Sequence, residues 1–332
     1  MNNQSLTTII DNFPLSSINK RFLCGGSALR DARYVSRMRL CLALEGVGDA
    51  DILAELLISD IKRYESAKAF ISSKKRLTIK DLLIAHKKLL PDDSHAGKLR
   101  TGQGWIGRSR KSATYIPPPA EQVISLLNNF IIKLNNFEKL STEDVIKFYC
   151  EFLTIHPFWD GNGRMSRILV DYMQKKADVK THFSLFRLGM EISDYQDAVL
   201  SFGIRSNLGV KCPYWQNMLG WISVYEAKVQ AAVNDLKNLL AAKLILYPLS
   251  TIDLEVVIFL LKQPVVTLNS ISQKLNIDFN NTKVSISKLV SAKVLTPYKT
   301  KNAPNCEVFV CRDVCQLMIK LDDLLFCSKV FK

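Results

Sequence analysis

The sequence predicts a mainly α protein, with one small β-hairpin set into a helical core and a separate, smaller C-terminal domain. Three observations predict this. Apolar residues recur near the 3.6-residue period from about residue 5 to 95, and again from 121 to 246. Between these stretches GKLRTGQGWIGRSRKSATYIPPP, residues 97–119, breaks the period with glycines, β-formers and a proline triplet, which is the composition of extended chain or a hairpin. Beyond Pro248 the periodic segments shorten, and two β-rich runs follow around a polar turn.

The helices follow from their own letters. SLTTIIDNF opens the chain, and DARYVSRMRLCLALEG, 31–46, is periodic and closes on Gly46, a residue that tolerates the left-handed turn at a helix end. DADILAELLISDIKRYESAKAFI, 49–71, and TIKDLLIAHKKLL, 78–90, repeat the pattern. After the break come EQVISLLNNFIIKLNNF and STEDVIKFYCEFLTIH, the latter starting as a capping box with Ser141 three residues before Asp144. RMSRILVDYMQKKA and WISVYEAKVQAAVNDLKNLLAAKLIL, 221–246, complete the core. In the last part DLEVVIFLLKQ, LNSISQKLNI and NNTKVSISKLVSAKV predict three short helices, and VLTPYKTKNAPNCEVFV predicts a hairpin. Helix, helix-turn-helix, hairpin is the order of a winged helix. The expected organisation is an N-terminal helical region over 1–95, a core over 96–225, a helical linker over 226–247 and a winged-helix-like domain over 248–332.

Composition narrows the function classes. The chain has 332 residues, 48% hydrophobic and 23% charged, as in an ordinary soluble globular protein. MNNQSLTTIIDNF lacks a basic region followed by an apolar stretch, which argues against a secretory signal. The most apolar run, 244–261, is interrupted by Pro248, Asp253 and Glu255, whereas a membrane span needs about 20 nearly uncharged residues. Eight cysteines are scattered without a CxxC, and Cys311 with Cys315 has no histidine nearby, so reduced buried thiols and a cytoplasmic location are expected rather than disulfides or zinc. The net charge of +14 is spread along the chain and suits nucleotide, acidic protein or nucleic acid alike.

The stretch HPFWDGNGRMSR, His156 to Arg167, carries the chemistry. Pro157 cannot continue the preceding helix, and the next helix starts at about Asn162 to Arg164. Unpaired N–H groups at a glycine-rich helix start form an anion site, here at Gly161, Asn162 and Gly163. Arg164 and Arg167, three apart on one helical face, add guanidinium forks suited to phosphate oxygens. Asp160 would repel an anion by itself but makes sense as the holder of a Mg²⁺ that bridges to phosphates. His156 at the rim can act as a general base near neutral pH. Each feature alone has a bland explanation: a histidine before proline is usually a cap, GNG a turn, and RxxR a solvated face. The eight fixed positions of HPFxxGNGRxxR together would arise by chance far less often than roughly once in a million chains of this length.

These residues resemble the Fic/Doc family signature HPFx(D/E)GNGRxxR, with every signature position filled. GKLRTGQGWIG is similar to the family's segment around R…WIG. ATYIPPP resembles its active-site flap, which places Ala113, Thr114, Tyr115 and Ile116 against a target's backbone. The resemblance covers about residues 1–225 and implies a Fic-type helical core that transfers AMP from MgATP to a Ser, Thr or Tyr hydroxyl. It implies that His156 takes the hydroxyl proton and that Asp160 holds Mg²⁺. Gly161, Asn162, Gly163 and Arg164 would cradle the α- and β-phosphates, Arg167 would bind the γ-phosphate, and Tyr195 would lie near the adenine. Members that transfer the γ-phosphate instead carry a bulkier residue where this chain has Gly163. CLALEG, Cys41–Gly46, resembles the family's inhibitory (S/T)xxxE(G/N) helix with Cys41 at the first position. Glu45 would then pair with Arg167 and restrain transfer, or orient a water for AMP removal.

The partners expected are ATP, a target protein, a DNA or protein partner at the C-terminal domain, and a second copy of the chain. The competing reading is a nucleotide-sensing DNA-binding regulator with little turnover, whose helix NNTKVSISKLV would use Lys283 and Lys288 on DNA.

Overall fold

The structure is a computed structural model that describes residues 35–47, 51–107, 109–177, 199–200, 213–299 and 307–327. The elements run α1 (Arg37–Glu45), α2 (Ile52–Ser72), α3 (Ile79–Leu89), β1 (Ile106–Gly107), β2 (Ala113–Tyr115), α4 (Val123–Asn136), α5 (Thr142–Ile155) and α6 (Asn162–Ala177). They continue with α7 (Pro213–Leu244), α8 (Thr251–Lys262), β3 (Val265–Thr267), α9 (Leu268–Leu275), α10 (Phe279–Ser291), β4 (Thr296–Tyr298), β5 (Val308–Val310) and α11 (Arg312–Cys327). The protein is mainly helical, with short strands. It divides into two compact units, one spanning 59–223 and the other made of 30–58 with 224–327.

In the first unit, local chemistry starts the helices that matter. Thr78 with Asp81 caps α3 and Ser141 with Asp144 caps α5, and in both boxes the two reciprocal hydrogen bonds form. The apolar faces of α4, α5 and α6 then build the core. The Phe130 ring meets Phe148 edge-on at 5.5 Å and Phe152 at 5.7 Å, and Phe158 beyond α5 is fully buried. Asn135 on α4 donates to the Leu77 carbonyl at 2.7 Å and accepts from the Leu77 N–H at 2.9 Å, tying α4 to the start of α3. The extended segment at 97–119 yields only a two-strand antiparallel pair, Ile106 opposite Tyr115 and Gly107 opposite Ala113, with an irregular register. Gly107 sits at φ 137, and a Cβ there would meet the Ser112 carbonyl at 2.8 Å, so only glycine fits this turn.

The second unit is a three-stranded antiparallel sheet, ordered β3-β5-β4, with helices α8 to α11 and α1 around it. Two of its elements, β3 and α11, lie outside those expected. β3 is three residues long and fully buried, too short for an alternating pattern to register. α1 packs here too: Cys41 and Val47 share a core with Val265, Val308, Val310 and Cys315. Arg37 makes a buried two-pronged ion pair with Asp322, at 2.7 and 2.6 Å. The sequence groups α1 with residues up to 95, but its buried face is completed by residues more than 200 positions later.

Two residues singled out in the sequence have partners within this unit. Glu45 is the first. One carboxylate oxygen accepts from the Thr267 N–H at 2.8 Å and from the Thr267 hydroxyl at 2.9 Å. The other accepts from Gln263 at 3.1 Å and Lys274 at 3.3 Å, and the side chain is 0% exposed. With both oxygens taken, the carboxylate belongs to the start of α9. Lys288 is the second. Its ammonium binds Asp253 at 2.6 Å and the Pro248 carbonyl at 3.0 Å, holding α10 to the start of α8. That leaves Lys283, with Asn280, Asn281, Val284 and Ser287, on the exposed face of α10.

The described buried cysteines 41, 150, 311 and 315 are free thiols. Burial pushes Cys311 up to about 11 and Cys315 up to about 12, which keeps both protonated and unreactive. Among the described residues no helix is long and apolar enough to cross a membrane.

Candidate active site

The site is built on the six-residue turn, 156–161, between α5 and α6. α5 ends because His156 takes the left-handed conformation, φ 49 and ψ 62, with its N–H still bonded to the Phe152 carbonyl at 3.1 Å. Pro157 follows and disfavours the helical conformation at His156. A non-glycine residue at positive φ is uncommon and carries some strain, which the surrounding contacts must hold.

Those contacts come from two sides. Asn162, buried, folds its side chain back over the turn: its carbonyl accepts from the Phe158 N–H at 3.0 Å and its amide donates to the Phe158 carbonyl at 2.8 Å. The Asn162 side chain is therefore spent on the loop, and only its backbone N–H can face a ligand. From α3, His86 stacks on Phe158 with centroids 3.9 Å apart and planes within 7°. Its Nδ1 accepts from the Gly97 N–H at 2.9 Å, so the proton is on Nε2, which donates to the Asp160 carbonyl at 3.0 Å. Burial pushes the His86 pKa down, consistent with this fixed neutral tautomer. Gly161, at φ 80, is where that packing is tightest. A Cβ there would lie 3.0 Å from Leu90 Cδ1 and 3.2 Å from His86 Nε2. Its missing side chain makes room for α3.

The chemical groups then fall into place. His156 Nδ1 lies 3.3 Å from the Leu153 carbonyl, which can only accept, so Nδ1 carries the proton and Nε2 keeps its lone pair. Burial lowers the His156 pKa below 6.5, and the ring is neutral at pH 7. Across the turn, the first N–H groups of α6 have no partner within the helix. Arg164 is buried and donates to Asp160 at 2.8 Å, while its Nε is enclosed without a hydrogen-bond partner. Arg167 is also buried, and its Nη1 would lie 3.5 Å from a Cβ on Gly163. Two buried arginines thus stand in the first turns of α6 beside its N-terminus, a concentration of positive potential suited to an anion of several phosphates.

Asp160 is 65% exposed and accepts from the Gly161 N–H at 2.6 Å besides Arg164. One exposed carboxylate beside an anion site fits Mg²⁺, which is held by one or two carboxylates plus substrate phosphates. Among the described residues there is no group of three or more His, Cys, Asp or Glu that would hold a metal on its own.

The hairpin proposed as a flap is pinned to the last turn of α5. The Tyr115 hydroxyl donates to the Thr154 carbonyl at 2.9 Å, and Thr114 donates to the Ile106 carbonyl at 3.0 Å. Ala113 and Thr114 lie on the strand, and Ile116 is exposed just beyond it. Tyr195 lies outside the described residues.

Residues 76–174, which contain the whole of this site, match the model of the Fic/DOC family. This region is a Fic-type domain. The Fic domain is 31% identical over 115 residues to "Protein adenylyltransferase Fic" of Drosophila erecta, covering 33% of this chain and 22% of that one. It is 28% identical over 106 residues to "Protein adenylyltransferase fic-1" of Caenorhabditis elegans, covering 30% and 20%. The matched region spans about a fifth of the length of these curated relatives. Among solved structures, a Fic family protein from Desulfovibrio desulfuricans G20 aligns over 92% of this chain and 94% of that one, at 18% identity and a TM-score of 0.47.

The motif residues His156, Asp160, Gly163, Arg164 and Arg167 all lie on the turn or the first turns of α6. Reading the motif alone misses His86 and Arg100, which hold it from outside. His86 had a signal: it sits on the apolar stripe of α3 with Leu82 and Leu89, where a histidine must be internally bonded. Arg100 had none.

Proposed function

We propose that the Fic domain transfers AMP from MgATP to a hydroxyl group of a target protein. The observation that carries this is the pairing of a neutral His156, Nε2 unprotonated, with the Arg164–Arg167 anion site one turn away. The names of the matched relatives support the same chemistry. In the reaction the target hydroxyl gives its proton to His156 Nε2 as its oxygen bonds to the α-phosphorus, and pyrophosphate leaves. The α6 N–H groups, Arg164 and Arg167 hold the phosphates and take up the charge that develops on them. Mg²⁺ bound at Asp160 would supply neutralisation of the phosphate charge. The flap strand offers its open edge to the target's backbone, as in strand addition. Glu45 takes no part, being engaged with Thr267, Gln263 and Lys274.

For the C-terminal elements, the order helix, strand, helix, helix, hairpin suits a winged-helix-type domain. Its helix α10 presents one lysine and an exposed Val284, which favours a protein partner over DNA.

ATP labelled separately at the α and γ positions tests the reaction type. Label from the α position is expected on protein, including this chain itself. Transfer of γ-label would sink the proposal.

The pH dependence follows from His156. The base works when neutral, and its pKa is lowered from 6.5, so the transfer rate should be level across neutral pH and fall only below 6.5. An acid limb centred above 6.5 would assign the base elsewhere.

A further inference from the structure

Arg100 is the most heavily committed side chain around the site, and the mechanism above gives it no role. It is 2% exposed. Nε donates to the His156 carbonyl at 2.8 Å, Nη1 to the Gly102 carbonyl at 3.1 Å, and Nη2 to the carbonyls of Pro118 and, at 3.4 Å, Ile155. Its own N–H donates to the Pro157 carbonyl at 2.9 Å. Every one of these acceptors is a neutral backbone carbonyl. Burying a cation without a carboxylate is unfavourable, and burial indeed depresses the Arg100 pKa. A position that served packing alone would be more stable with an apolar side chain.

What the guanidinium joins is specific. Ile155 and His156 end α5 and carry the base. Pro118 lies three residues past Tyr115 at the end of the flap, and Gly102 lies four residues before Ile106 at its beginning. A planar fork reaches these separate segments at once, which an ammonium cannot do.

We propose that Arg100 is a positioning residue that locks the flap to the catalytic turn, so that a target strand seated on the flap brings its hydroxyl to His156 Nε2. The proposal rests on His156 being the base of the adenylyl-transfer reading. None of the hydrogen bonds of Arg100 goes to Gly163, Arg164 or Arg167 of the phosphate cradle, so ATP binding should be independent of Arg100.

Two variants of the full chain test this: Arg100→Lys, which keeps the charge but not the fork, and Arg100→Met, which keeps the bulk alone. Hydrogen exchange is followed in flap residues 105–116, in turn residues 156–161, and in α5 residues 145–152 as a control. In both variants the flap and the turn should lose protection together while α5 keeps it. Self-modification with α-labelled ATP should slow about tenfold to a hundredfold, the loss typical of a misplaced reacting group, with KM for ATP unchanged. Loosening of only one segment, unchanged exchange in both, or loss of protection in α5 as well would overturn the lock. So would a rise in KM for ATP at constant kcat. If the wild-type chain transfers no α-label, the adenylyl-transfer reading fails, and the exchange comparison still decides the lock by the same criteria.

Discussion

His156→Ala will lower the rate of α-label transfer by about 10²–10⁴-fold, the usual contribution of a general base. ATP should still bind with wild-type affinity, because the anion site is formed by α6 and its arginines, not by the imidazole. Alanine retains the carbonyl that Arg100 holds but adopts positive φ reluctantly, so part of its effect would be a disturbed turn. His156→Asn removes that ambiguity, since asparagine tolerates the left-handed region and cannot act as a base at neutral pH. Both variants should be equally slow. Calorimetry of ATP binding alongside the transfer assay reads the two quantities separately. A His156→Asn protein that transfers within tenfold of wild type would remove this residue from the chemistry.

Glu45→Ala will destabilise the unit built on β3, β4 and β5 by about 2–3 kcal/mol, the loss expected when hydrogen bonds to a buried carboxylate are removed. Gln263 and Lys274 lose an acceptor, as does the Thr267 hydroxyl, while the Thr267 N–H retains the Ser270 hydroxyl at 3.2 Å. Urea unfolding of the full chain should show a transition moved to lower denaturant. Transfer at temperatures where the variant is folded should stay within about twofold of wild type. The resemblance of CLALEG to an inhibitory helix predicts instead an activation of about tenfold to a hundredfold, the effect of freeing Arg167 from a charge-assisted pair. Activation of that size with an unchanged unfolding transition would show that Glu45 restrains the site and that its bonds to Thr267 matter little.

The contrast between His156 and Glu45 separates what is local from what is not. HPFWDGNGRMSR folds through contacts only a few residues apart. His156 Nδ1 reaches back three residues to Leu153, Asn162 spans four to Phe158, and Asp160 meets Arg164 four residues on. Such contacts follow from the helical period and the turn chemistry, so the order of letters was enough to place His156, Asp160 and the two arginines together. The same locality made the capping boxes at Thr78 and Ser141 and the glycine end of α1 readable.

The groups that hold the site in shape were decided by the tertiary structure. His86 reaches the Asp160 carbonyl across 74 residues, and Arg100 reaches His156 across 56. Glu45 finds Thr267 across 222, and Lys288 finds Asp253 across 35. In each case the side chain is polar, and either it or its partner is buried. A buried polar group must take its partners from whichever elements the packing brings alongside. The sequence by itself determined the helices, the catalytic turn and its chemistry, because those rest on short-range geometry. Which carboxylate and which cations were left available to that chemistry was determined only when distant helices packed, because desolvation forces each buried charge to its nearest partner in space.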